Sequence, residues 1–323
     1  MRQIANRMAA VAALALGLGP AAVHAQQYPT QDVHFICAFP AGSGADVIVR
    51  YFAEKMRPLL NRNVIVENKP GAIGNIATEY VARAKPDGHT IYIHGASALA
   101  ANMHMFKHPS VDAGAAIQVA ATINKQPTMF VVHVSKSWRS VAEVTAYAKD
   151  RKEKATYATS NPVGKTMGAI YKQQVGLQAV EVNYRTAADA LNDIQSGTID
   201  YALFDNVFAT AQAREGRLRI LAVSTADRLA ANPDFPTMTE LGYPMNLMGW
   251  FAAMVPSATP RPIVDQLNTW FNQIVATDET KTFLNQIASD PFISTPDAAQ
   301  ALFLRQIKEW GDYVRLANIE PQG

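Results

Sequence analysis

Along the chain, short runs that are apolar on both faces alternate with stretches whose apolar positions recur at helical spacing. Residues 33–39 read as a strand buried inside a parallel sheet. Beyond the small-residue stretch PAGSG the period lengthens, and Ile48, Phe52, Met56 and Leu59 fall on one helical stripe. Strands follow at 64–67 and 90–94, separated by the loop NKPGAIGN (68–75), a helix over 76–84 and the turn KPDG. A β-α-β-α-β start of this kind predicts a doubly wound sheet with ligands at the C-terminal ends of its strands.

A second series repeats the design. Strands at 128–134, 155–159, 180–184, 199–204 and 218–224 alternate with helices at 141–150, 166–175, 187–195 and 207–214. The turn-rich segment 232–244 then leads to a strand at 250–255. Pro260 and Pro262 open the closing helices, among them 263–275 and 298–316. The α/β alternation therefore predicts two lobes, residues 26–127 with 250–323 and residues 128–249, joined by two crossing strands.

The N-terminus sets the compartment. Arg2 and Arg7 precede an apolar run over 8–18, and Val23-His24-Ala25 offers small residues at cleavage spacing. Residues 1–25 read as a secretory signal peptide cleaved near Ala25, too short to span a bilayer. Export would leave a soluble chain of about 298 residues, enough for two packed cores. Losing Arg2 and Arg7 takes the formal charge from +2 to zero. With no basic or acidic block, nothing favours nucleic acid or a membrane surface. The single cysteine, Cys37, lies inside an apolar run and so reads as a buried free thiol.

Two loops carry the chemistry. FPAGSGAD (39–46) and TSNPVGKT (159–166) each join a strand to a helix N-terminus. Small residues let backbone N–H groups approach an anion, and the helix dipole adds about half a positive charge. The second loop contains Gly-Lys-Thr, but a phosphate-binding loop needs a further glycine where Thr159 stands. Nucleotide binding is therefore disfavoured, whereas a small carboxylate held between one loop of each lobe fits.

The segments FPAGSGADVIVRYFAEKM, VIVENKPGAIGNIATEYVARAKPDGHTI, GRLRILAVSTADRLAANPDFPTMTELG and FLRQIKEW resemble the Bug (TctC-like) periplasmic substrate-binding proteins over essentially the whole mature chain. The resemblance implies a type II periplasmic binding fold, two lobes of mixed or parallel sheet flanked by helices. It also implies no catalysis, no cofactor, a monomeric receptor, a carboxylate ligand, and one large and one small membrane subunit as partners. The first family loop, P-F-P-x-G-G-x-x-D, places Phe39, Ala41, Gly42, Ser43 and Gly44 at the ligand. Ser43 takes the second glycine's place, and Asp46 is also assigned to the ligand site, suited to ordering the loop and to meeting the ligand through waters or at a neutral face. The second loop, usually Y-G-S-x-G-x-G-S, departs here but maps Thr159, Ser160, Asn161, Gly164, Lys165 and Thr166 to the other wall. Lys165 is either free to pair with a second carboxylate or simply solvated.

Further candidates are Ser97 at a strand end, Tyr184 in VNYRTAAD, Asp205 at the end of DYALFD, and Trp250 near the return crossing. Asp205 either bonds a ligand hydroxyl or amine or caps the following helix. It keeps open a receptor for a neutral or cationic molecule. A secreted hydrolase using Ser43 has little support, because AGSGA is not G-x-S-x-G. His104 and His108 have helical metal-pair spacing but lack a complete ligand set. Phe39, Tyr184 and Trp250 suit an aromatic carboxylate, and the loops also suit an aliphatic diacid or a citrate-like acid.

Overall fold

The structure, a computed structural model, describes residues 28–323; the signal-peptide reading lies outside them. Eleven strands are found in the described residues: β1 (Val33–Cys37), β2 (Val64–Asn68), β3 (Thr90–Gly95), β4 (Ile117–Gln126), β5 (Thr128–His133), β6 (Thr156–Thr159), β7 (Val180–Asn183), β8 (Tyr201–Asp205), β9 (Leu218–Val223), β10 (Gly249–Pro256) and β11 (Asp290–Pro291). They form two sheets, ordered β11-β4-β10-β3-β1-β2 and β7-β6-β8-β5-β9. In the first sheet β1 pairs in parallel with both β2 and β3, while β10 runs antiparallel between β3 and β4. The second repeats that plan, with β6 parallel to β7 and β8, and β5 antiparallel to β8 and β9. The fold is the two-lobe α/β architecture of the type II periplasmic binding proteins.

Pro127 is the single residue between β4 and β5, so the chain passes from one sheet to the other in one step. It returns through 224–248 into β10. The helix Pro296–Leu316 closes the first sheet, burying Phe303, Trp310 and Val314. Cys37 is buried and unpaired, and burial pushes its thiol up to about 11, which leaves it protonated and inert.

The hydrophobic pattern passes over β4. Its centre is fully buried yet holds Thr122 and Asn124, which break an apolar run. Both reach distant groups: Thr122 Oγ1 donates to the Phe292 carbonyl at 2.7 Å and Asn124 Nδ2 to Ser289 Oγ at 2.9 Å, while Asn124 Oδ1 finds no partner among the described residues. The buried groups that are so paired cost little, and the partners lie about 170 residues away.

Four strands run straight into helices at their C-terminal ends. β1 leads through a short loop to the helix Gly44–Leu60, β3 to Ala96–Met105, β6 to Pro162–Val175 and β8 to Asn206–Arg214. Their N-termini meet at the cleft between the sheets.

Candidate functional site

A pocket of about 180 Å³ lies at that meeting point. From the first loop it is lined by Phe39, Ala41, Gly42, Ser43 and Gly44, and from β3 and its helix by Gly95, Ser97 and Ala98. The opposite wall carries Ser160, Asn161 and Val163, then Asp205, Val207 and Phe208. Arg185 and Thr186 reach in from the loop after β7, while Gln126–Thr128 and Trp250 come from the crossing segments. All four helix N-termini therefore face one small space.

Capping shows which amides remain free. Ser43 Oγ accepts the Asp46 N–H at 3.3 Å as N-cap of its helix, whereas the Gly44 and Ala45 amides find no acceptor among the described residues. Asn161 caps the second-lobe helix by accepting the Gly164 N–H at 2.8 Å. The helix Ala96–Met105 has no side-chain cap at all. The fourth N-terminus is neutralised from within, because Asp205 Oδ1 accepts the Phe208 N–H at 2.9 Å. Burial pushes the Asp205 carboxyl above its usual range, opposed by the amides it caps. Three N-termini thus give the space a positive field without a buried cation, and Asp205 sets a negative group against it.

Asp46 stands behind the wall and does not line it. It is 2 % exposed and accepts from Gly42 N, Asn68 Nδ2 and Arg50 Nε, each at 2.8 Å. Burial pushes its carboxyl up, but the bonds from Arg50, Asn68 and Gly42 outweigh it and hold the carboxyl below its usual range. Those bonds fix the loop around Gly42, whose φ of +80° needs glycine. Asp46→Asn should lower stability at neutral pH by about 1–2 kcal/mol. A depressed carboxyl stabilises above its unfolded pKa, and that contribution vanishes as pH falls through its folded pKa. Wild type and variant should therefore converge in acid, as chemical denaturation at a series of pH values would read; a constant gap would refute the charge-assisted role.

The remaining predicted residues divide. Thr159 is buried behind the loop, donating to Glu181 Oε1 at 2.6 Å. Gly164 faces the sheet, where a Cβ would lie 2.6 Å from the Leu203 carbonyl. Thr166 is buried beside it in the same helix. None of the three lines the cavity. Lys165 and Tyr184 line an adjoining chamber of about 260 Å³, and Tyr184 spends its hydroxyl on Asp193 Oδ2 at 2.6 Å. Trp250 is both core and wall: fully buried, it donates to Gln306 Oε1 at 2.6 Å. The same Gln306 oxygen receives the Ser97 hydroxyl at 3.2 Å. His104 Nε2 is engaged with the Ile307 carbonyl. Among the described residues no cluster of three or more His, Cys, Asp or Glu could hold a metal.

A family profile described as "Tripartite tricarboxylate transporter family receptor" matches residues 48–319. The chain belongs to the TctC family. The TctC (Bug) relatives agree with this assignment: a UPF0065 protein of Bordetella bronchiseptica is 30% identical over 96% of this chain and 93% of its own. Among solved structures, "R. palustris Rpa4515 with adipate" superposes with a TM-score of 0.86 at 26% identity, covering 91% of this chain and 100% of that one. Periplasmic binding protein BugD superposes at 0.83 with 27% identity and the same coverage. TctC-family members are periplasmic solute-binding proteins rather than enzymes, which removes the hydrolase reading of Ser43. The Ser43 hydroxyl serves instead as a helix cap.

Proposed function

We propose that this chain is a periplasmic receptor that captures a small carboxylate in the cavity between its lobes and delivers it to a tripartite tricarboxylate transporter. The observation that carries the reading is the convergence of uncapped or partly capped helix N-termini on one pocket. Gly42, Ser43 and Gly44 on one wall and Ser160 and Asn161 on the other would present backbone dipoles to the anion, with Phe39, Ser97 and Trp250 shaping the rest. Asp46 and Thr159 hold these walls from behind. The adipate recorded with the 26%-identical neighbour supports a carboxylate of that size. A cavity of about 150 Å³ accepts a benzene-sized guest, so about 180 Å³ suits one ring or a six-carbon chain bearing its carboxylate.

Residues 26–127 with 250–323 and residues 128–249 would be the two moving bodies, hinged at the crossings. Ligand would favour closure because only the closed state presents both sets of amides. Export by the 1–25 signal peptide, action as a monomer and docking on one large and one small membrane subunit complete the reading. Asp205 supports a second one, a ligand bearing a hydroxyl or an amine.

Thermal shift of the ligand-stripped protein against mono-, di-, tri- and aromatic carboxylates tests the proposal. A true ligand at a hundred times its dissociation constant should stabilise by about 2.7 kcal/mol. Stabilisation by amines or neutral amides alone would replace the carboxylate reading with the second one.

A further inference from the structure

Gln306 lies midway along the helix Pro296–Leu316 and does not line the cavity. It is buried, and it borders a separate pocket of about 200 Å³ between that helix and Asn246, Leu247 and Met248 of the return crossing. Its Oε1 accepts from Trp250 Nε1 at 2.6 Å and from Ser97 Oγ at 3.2 Å. Both donors are buried residues of the cavity wall. An indole N–H can only donate, so it fixes which end of the Gln306 amide faces the wall. The Ser97 hydroxyl has a second acceptor, the Met248 carbonyl, also at 3.2 Å. Neither acceptor carries a proton, and among the described residues no donor reaches Ser97 Oγ. The single hydroxyl proton is therefore drawn into the protein, and the oxygen keeps only lone pairs for the cavity.

We infer that Gln306 is a positioning residue for capture, which holds the Trp250 ring in place and keeps the Ser97 proton out of the cavity. The inference rests on the carboxylate reading above and adds an orientation to it. A wall whose hydroxyl presents lone pairs has nothing to give an anion. The ligand's carboxylate is left to the backbone amides, and its apolar body to Trp250. The two holds differ in how replaceable they are. Among the described residues Trp250 Nε1 has one acceptor, Gln306 Oε1. Removing that oxygen orphans a fully buried donor, and the ring shifts to recover a partner. Ser97 keeps the Met248 carbonyl when Gln306 is lost. Loss of the Gln306 oxygen therefore acts through Trp250, by spoiling a wall that the ligand needs ready-made.

Titration calorimetry with adipate and benzoate on the full mature protein, beside nitrogen-edited NMR of the indole N–H groups, tests this. Gln306→Met, similar in size but without the acceptor, should lower affinity by about tenfold. Trp250→Phe has no N–H to hold, so in that background Gln306→Met should cost less than about twofold more, whereas a merely structural loss would add in full. Ser97→Ala should tighten binding by about threefold, because the ligand's apolar body no longer strips water from an oxygen it cannot satisfy. The Trp250 N–H signal should lie downfield in wild type and move upfield in Gln306→Met. Melting curves set the temperature at which every variant is folded. Wild-type affinity in Gln306→Met, full additivity with Trp250→Phe, or weaker binding in Ser97→Ala overturns the inference while leaving carboxylate capture intact. Failure of both acids to bind wild type overturns the carboxylate reading and the orientation with it. An indole signal unmoved in Gln306→Met overturns the hold on Trp250 whatever the ligand.

Discussion

Gly44→Ala should lower carboxylate affinity by about 100-fold, equivalent to about 2.7 kcal/mol, without lowering the stability of the ligand-free protein. Gly44 opens the first-lobe helix with ordinary backbone angles, so alanine is tolerated there locally and even favoured by about 1 kcal/mol of helix propensity. The obstacle comes from the other lobe. A Cβ at this position would overlap Asp205 Oδ1 and lie 2.9 Å from Val207 Cβ. Asp205 cannot easily retreat, since Phe208 N–H holds it, and Val207 Cβ is fixed to the helix backbone. Closure would stop short of bringing the two sets of amides to one anion. Each lobe alone offers half a clamp, and a ligand cannot favour a state it no longer binds better. Calorimetry beside small-angle scattering would read both halves of the claim: weak binding, and no compaction on adding ligand. Wild-type affinity in Gly44→Ala would mean that the functional closed state does not bring Gly44 against Asp205.

That contact also shows where reading the chain alone reaches its limit. Local signals place most of the strands, the two small-residue loops and the first-wall residues, because PAGSG and NPVGKT are strand-to-helix joints whose geometry is set within a few residues. Gly44 is recognisable in them as a source of backbone N–H. Its need to lack a side chain depends on Asp205 and Val207, far along the chain in the other lobe, and no local pattern encodes that. Gly164 is the converse case. It sits in a segment of the right composition, in the first turn of the helix Pro162–Val175, yet its missing Cβ makes room for the Leu203 carbonyl, a packing demand that looks the same in sequence as a ligand demand. Arg185 carries no signal of its own in VNYRTAAD, where Tyr184 draws the attention. The tyrosine hydroxyl turns to Asp193, whereas its neighbour Arg185 faces both chambers; which of two adjacent side chains reaches the cleft depends on how the loop after β7 wraps. Strand β4 escapes for a related reason, because Thr122 and Asn124 find their partners in segments that fold back from far along the chain.

Asp205→Asn should tighten carboxylate binding at neutral pH by about tenfold or more. The substitution keeps shape and cap, since asparagine serves as N-cap as well as aspartate does, and removes only the charge. An ionised Asp205 shares the cavity with the amides proposed to hold the ligand. Two like charges about 6 Å apart at an effective dielectric of about 20 repel by roughly 3 kcal/mol. Burial already pushes the Asp205 carboxyl upwards, which is the same resistance of a low-dielectric site to negative charge, felt before any ligand arrives. The sign of the pH dependence follows. Protonating Asp205 removes the repulsion, so wild-type affinity should climb as pH falls through its raised pKa, until the ligand itself takes up a proton. The variant should be flat across that window. A raised carboxyl pKa also means that this group's stabilising contribution is lost as pH rises through it, so Asp205→Asn should melt higher than wild type in alkaline buffer. The opposite outcome is equally informative. If Asp205→Asn weakens capture, the carboxylate accepts a hydrogen bond from the ligand. The cleft then binds a molecule carrying a hydroxyl or an ammonium beside its acid group, with Asp205 recognising it rather than resisting it.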